Sequence, residues 1–253
     1  MADAERLDGK VALVTGAARR VGRAIALELG RAGARILVHH RAHAAEANAT
    51  VVEIRAVGAE AEAVGADLTD PAATAALFAT IGGQGGLDIL VNSAARYERA
   101  PFESIDDRRL SELWEATFAS AFRCARLAVP LMRARGGGTI VNLLDVAATQ
   151  AWPQHAHYCA AKAALHMLTR CLAVELAPAI RVVGVSPGTV LLPKGATEAE
   201  ERRLVTKIPA GRVGRPEDVA RAVRFLCTGP TFITGAIVAV DGGRSAAGSL
   251  TGP

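Results

Sequence analysis

Aromatic residues make up only 4% of the 253-residue chain. A core of this size cannot rest on large rings. It must be built from alanine, valine, leucine and isoleucine, and hydrophobic residues do reach 51%. Such side chains suit parallel strands buried on both faces. Cysteine is scarce as well: Cys124, Cys159, Cys171 and Cys227 contain no C-x-x-C pair. They read as reduced structural thiols. No ordered Cys/His/Asp set suggests a metal site. No dense Lys/Arg block occurs, so the net charge of +4 does not argue for nucleic-acid binding. No apolar run is long enough to span a bilayer. The opening "MADAERLDGK" is polar and charged, unlike a signal peptide. These absences leave a soluble, cytoplasmic protein as the expectation, with an anionic small molecule to account for some of the scattered arginines.

What is present is a rhythm. "VALVTG" (11–16) reads as a buried strand and "VGRAIALELGRAG" (21–33) as a helix with a glycine stop. Strands follow in "RILVHH" (35–40), "AEAVGADLTD" (61–70), "LDILVNSA" (87–94), "GTIVNLL" (138–144), "IRVVGVSPG" (180–188) and "AIVAVDGG" (236–243). Helices are expected over 44–58, after Thr69 or Asp70, over about 107–135, and over 156–177. The alternation predicts one α/β domain over 1–253, a Rossmann-type doubly wound parallel sheet flanked by helices. A polar, Pro/Gly-rich stretch breaks the rhythm and predicts a substrate loop at about 189–215 with a short helix.

The turn "TGAARRVG" (15–22) joins the first strand to the first helix. Gly16 permits a tight turn, Gly22 permits close packing, and the helix start can face a pyrophosphate. Gly16, Arg20, Val21 and Gly22 are therefore candidate cofactor residues. Arg20 stands where a middle glycine is usual and brings a cation beside the phosphates. At the end of the second strand an NAD site places an acid for the ribose hydroxyls. Here "VHHRAHAAE" has none before Glu46, and His39, Arg41 and His43 cluster instead. An arginine pairs with a 2′-phosphate that a carboxylate would repel. NADPH is the expected cofactor.

Tyr158 and Lys162 are four residues apart and share a helix face. A neighbouring ammonium favours a phenolate and brings a tyrosine toward useful acid–base chemistry. Together with the turn, "ADL" (66–68), "NSAA" (92–95) and "SPG" (186–188), this pair resembles the short-chain dehydrogenase/reductase family along nearly the whole chain. The resemblance implies that Asp67 and Leu68 flank the adenine. It places Asn92 and Ala94 along the cofactor, Pro187 and Gly188 against the nicotinamide, and Lys162 on the ribose. It also implies a dimer or tetramer.

Arg20, the "HHRAH" stretch and Asp145 look like the pteridine reductase subgroup. Asp145 occupies the place where the family commonly keeps a serine. An ionised carboxylate only accepts hydrogen bonds. Facing a carbonyl oxygen that gains negative charge it would raise the barrier, whereas a pterin offers N–H donors. On this reading Asp145, Tyr158 and Lys162 are catalytic, and Tyr97 and Trp152 join Asp145 and Tyr158 at the substrate, with Tyr97 stacking on a flat ring. A plain cap at the strand end is the simpler role for an aspartate. Ala95 replaces a subgroup serine, and Thr117 stands where the family often has a relay asparagine. His155 and His157 flank Tyr158 with no role assigned. The expected activity is NADPH-dependent reduction of pterin-like substrates. Reduction of 3-oxoacyl or ketone carbonyls is the alternative, and a non-catalytic NADP-binding regulator the third reading.

Overall fold

A computed structural model of the chain describes residues 6–192, 195 and 197–247. Part of the expected substrate loop, residues 193, 194 and 196, lies outside these. Seven strands are β1 (Val11–Val14), β2 (Arg35–His40), β3 (Ala61–Gly65), β4 (Ile89–Asn92), β5 (Gly138–Leu143), β6 (Ile180–Pro187) and β7 (Ile237–Val240). They form one parallel sheet in the order β3-β2-β1-β4-β5-β6-β7. The helices are α1 (Arg20–Arg31), α2 (Ala44–Ala56), α3 (Pro71–Gly83), α4 (Asp107–Trp114), α5 (Ser120–Ala134), α6 (Ala156–Glu175), α7 (Glu198–Val205) and α8 (Pro216–Thr228).

Strand alternation builds the two layers. Ala12 and Val14 of β1 join Ile36, Val38, Val91, Val141, Val183 and the apolar stripes of α1, α2 and α8. Val11 and Leu13 point the other way, toward Leu37, Leu90, Ile140, Val182 and α3, α5 and α6. Both faces are thus covered, as the scarcity of aromatics requires. The chain turns one way from β1 to β2 and β3, and the other way to β4. This leaves a crevice beyond the carboxyl ends of β1 and β4, the usual ligand position in such sheets.

Local chemistry explains the helix starts. The Asp70 side chain accepts from Ala72 N–H, with Pro71 opening α3, Asp106 accepts from Arg109 N–H, and Thr197 and Glu200 form a capping box on α7. The helix expected over 107–135 is interrupted by a π-helical segment, Glu115–Ala119, between α4 and α5. The stretch expected as a loop with a short helix yields α7, and α8 follows it. The buried face of α8, Val219, Ala220, Val223 and Leu226, packs on α1. No described helix is long and apolar enough to cross a membrane.

Candidate active site

The turn after β1 is shaped by exclusion of side chains. Gly16 has φ +65°, and a Cβ there would lie 3.1 Å from Ala94 Cα. A Cβ on Gly22 would lie 2.4 Å from the Gly16 carbonyl oxygen. Thr15 ties the neighbouring loop down: its Oγ1 accepts from Ser93 N–H and Ala94 N–H, both at 2.9 Å. Arg20, itself at φ +57°, opens α1. Unlike α3, α4 and α7, this helix start has no side-chain cap, and its first turn carries no acidic residue. Unsatisfied N–H groups, the positive end of the helix dipole and arginines 19 and 20 fit a diphosphate.

The end of β2 also fits the adenosine half of a dinucleotide. Glu46, the first acid after the strand, pairs with His43 at 3.3 Å. Arg41 is exposed and makes no ion pair among the described residues. Asp67 accepts from Thr69 N–H and Oγ1, which hold its carboxyl below the usual carboxylate range. Leu68 is buried beside it. His39 lies deeper than the sequence reading placed it. Its Nδ1 accepts from Gly16 N–H at 3.1 Å, and Nε2 faces the Ala66 carbonyl at 3.1 Å, so both ring nitrogens are committed to backbone. Burial pushes its pKa down to about 4. The neutral imidazole supports the glycine turn from below. Asn92 similarly faces the sheet, donating to Asn142 Oδ1 at 2.9 Å, while its own buried Oδ1 has no hydrogen-bond partner among the described residues. Pro187 ends β6, and a Cβ on Gly188 would lie 2.7 Å from Asp241 Cβ.

The candidate catalytic groups lie together on the crevice floor. The Tyr158 hydroxyl donates to Asp145 Oδ2 at 2.8 Å, while Asp145 Oδ1 accepts from Ala147 N–H at 2.9 Å. Asp145 is therefore both the cap of a short turn and the partner of the tyrosine. Lys162 is buried, donates to the Leu143 carbonyl at 2.7 Å, and stands 6.0 Å from the Tyr158 ring centre. The expected lowering of the tyrosine pKa is not found. Burial and then the Asp145 charge raise it well above its ordinary value. Burial also brings Lys162 down to about 8, against the pull of Asp145. The resting site thus holds a neutral phenol ready to donate. Thr117 sits in the π segment, and its Oγ1 both accepts from Arg96 N–H and donates to the Arg96 carbonyl at 3.3 Å.

A family model described as Enoyl-(Acyl carrier protein) reductase matches residues 16–245, the span that holds the turn, Tyr158 and Lys162. The chain belongs to the short-chain dehydrogenase/reductase family. It is 37% identical to versicolorin reductase 1 of Aspergillus parasiticus, over 96% of this chain and 99% of that one. Among solved structures it is similar to a 7α-hydroxysteroid dehydrogenase complexed with NADH and 7-oxo glycochenodeoxycholic acid (TM-score 0.91, 34% identity, 96% and 97% of the two chains). A gluconate 5-dehydrogenase of Burkholderia cenocepacia in complex with NADP and tartrate matches as well (TM-score 0.90, 31% identity, 96% and 98%). This short-chain dehydrogenase/reductase is an NAD(P)-dependent oxidoreductase. None of the relatives named above is named for a pterin.

In the same family member, aromatic side chains wall the crevice above Tyr158. Tyr97 meets the Tyr158 ring edge-on at 5.0 Å, and its hydroxyl lies 2.8 Å from His155 Nε2. Trp152 meets the His155 ring at 5.8 Å. His155 Nδ1 faces the Pro153 carbonyl at 2.8 Å, which fixes Nε2 as the acceptor for Tyr97. His157 is buried with neither ring nitrogen bonded to a described group. One wall residue was not anticipated. Arg244 lies over the Trp152 ring at 5.5 Å and donates to Thr189 Oγ1 at 2.8 Å. Its signal was its place just after "VDGG", at the carboxyl edge of the last strand.

Proposed function

We propose that the protein is an NADPH-dependent carbonyl reductase. The observation that carries this reading is the buried, neutral Tyr158 hydroxyl at the switch-point crevice, beside the buried Lys162. When bound, the cofactor supplies a hydride to the substrate carbon. Tyr158 then delivers its proton to the carbonyl oxygen. A raised phenol pKa does not prevent this, because an oxygen that has gained the hydride's charge is a stronger base than a phenolate. Lys162 sets the local positive charge and offers donors to a ribose hydroxyl. Gly16, Val21, Gly22, Asn92, Ala94, Pro187 and Gly188 shape the crevice for the cofactor, and Arg20, Arg41 and His43 supply cationic or hydrogen-bonding partners for its phosphates. The absence of an acid at the end of β2 supports NADPH over NADH. The 7-oxo glycochenodeoxycholic acid bound by a structural relative supports a ketone.

A second reading keeps one specific observation in its favour. Asp145 puts a carboxylate where a ring N–H would find an acceptor, and Tyr97, largely exposed, presents a face for stacking. This favours a pterin-like heterocycle. The two readings separate in one assay of NADPH oxidation with 9,10-phenanthrenequinone, a cyclic ketone and a dihydropterin. Carbonyl turnover well above pterin turnover is expected, and Asp145→Ser is expected to raise it several-fold, since a hydroxyl can donate to the carbonyl oxygen. Pterin turnover that exceeds ketone turnover and falls in Asp145→Ser would move the assignment to the heterocycle.

The same proposal includes residues 189–215 as the segment that covers the substrate, and a homo-oligomer in the cytoplasm. Phe122 on α5 and Met167 and Val174 on α6 leave apolar surface exposed, which supports self-association. Four unpaired cysteines support a reducing compartment.

A further inference from the structure

Five side chains form a continuous wall from the reacting hydroxyl to the rim: Tyr158, Tyr97, His155, Trp152 and Arg244. They come from the loop after β4, the segment after β5, α6 and the turn after β7. The guanidinium at the end of this wall has no ion-pair partner among the described residues. Its side-chain contacts are with neutral groups, the Thr189 hydroxyl and the Trp152 ring. Asp241, the acid nearest in sequence, accepts from backbone instead, Oδ1 from Gly243 N–H and Oδ2 from Ser245 N–H, and forms no ion pair with Arg244 among the described residues. Many other arginines of the chain do pair with acids: Arg35 with Glu62, Arg96 with Glu112, Arg109 with Glu98, Arg135 with Asp88 and Arg212 with Asp218. A second guanidinium on this rim, Arg99, likewise bonds a neutral group, Gln154 Oε1, at 2.5 Å. Both cations act on the Tyr97 hydroxyl, against the charge of Asp145 below it.

From this arrangement we propose that Arg244 is a specificity-determining residue, and that the substrate is an aromatic acid whose anionic group docks on this guanidinium while its ring lies along Trp152 and Tyr97. The proposal rests on the assignment of the crevice floor as the reaction site and adds the substrate class to it. The Thr189 hydroxyl and the Trp152 ring hold the guanidinium in place through one nitrogen and one face, and its remaining N–H groups are the donors for an anion. It would bind a carboxylate through a charge-assisted, bidentate contact, the geometry for which arginine is suited. With Asp145 at one end and Arg244 at the other, the site is polarised. An anion enters with its charge outward and its reducible group toward Tyr158, and the reverse orientation sets like charges together.

The test is direct binding to the full-length protein saturated with NADP+, measured calorimetrically with 2-naphthoate and with its neutral isostere 2-naphthamide. Wild-type protein is expected to bind the naphthoate about tenfold more tightly. In Arg244→Gln the two affinities converge to within about twofold, and Arg244→Lys, which keeps the charge but not the planar fork, retains part of the preference. Arg108→Gln, on the exposed face of α4, leaves the ratio as in wild type. The ratio is read within one variant, so a general loss of binding does not enter it. Failure of wild type to bind or prefer the naphthoate, or a preference that survives Arg244→Gln, overturns the proposal. Because no turnover is involved, a protein that prefers naphthoate but reduces no carbonyl refutes the assigned reaction and leaves the anion site standing.

Discussion

At Tyr158 three influences compete. Burial and the Asp145 carboxylate hold the proton on, and Lys162 favours its loss. The first two win in the resting site, because Lys162 is turned to the Leu143 carbonyl rather than to the phenol. The sequence spacing identified the pair but not this balance. Helical spacing says which side chains share a face, whereas the lysine's hydrogen-bond partner depends on where β5 ends. His39 teaches the same lesson with a checkable consequence. Its folded pKa of about 4 lies below the ordinary 6.5, so on acidification the unfolded chain takes up a proton that the folded chain refuses. Stability contributed by this site is complete above pH 6.5 and is lost as pH falls toward 4, by about 2 kcal/mol at pH 5. Urea denaturation at pH 7 and pH 5 should show that extra loss in wild type and not in His39→Gln. Equal losses in both would show that the imidazole is not buried neutral beneath the glycine turn.

Among the elements, α1 carries the most functional information. Its start was legible because two glycines follow a strand and open a helix. The structure adds the reason they must be glycine, the close approaches of Gly16 to Ala94 and of Gly22 to the Gly16 carbonyl. Gly22→Ala is expected to push the turn apart and raise the dissociation constant for NADPH by about tenfold or more, with a lower melting temperature. Fluorescence titration with NADPH checks the first, and unchanged affinity would mean that the turn does not hold the diphosphate. Strand positions were equally legible, since buried apolar runs bounded by glycine leave few alternatives. The π segment was not. Residues 107–134 keep a helical pattern throughout, and only the packing of Thr117 against the Arg96 backbone reveals the irregular turn.

For the whole molecule, the decisive feature is that one crevice collects residues from distant parts of the chain. The turn after β1, the loop after β4, Asp145 after β5, α6 and the turn after β7 all open on the carboxyl edge of the sheet. Tyr158 and Lys162 could be read as a unit because they are adjacent on one helix. Arg244 could not be joined to Trp152 from sequence, because 92 − the difference between positions 244 and 152 — is a separation that only the sheet order closes. The central claim is that this crevice passes a hydride to a carbonyl carbon and a proton from Tyr158 to its oxygen. The most direct measurement is product analysis after reaction with NADPH deuterated at the transferable position, for wild type and Tyr158→Phe. The predicted result is deuterium on the carbinol carbon of the alcohol formed from the cyclic ketone in wild type, and a rate lowered by at least about 100-fold in Tyr158→Phe. Product without deuterium, or a phenylalanine variant as fast as wild type, would contradict it.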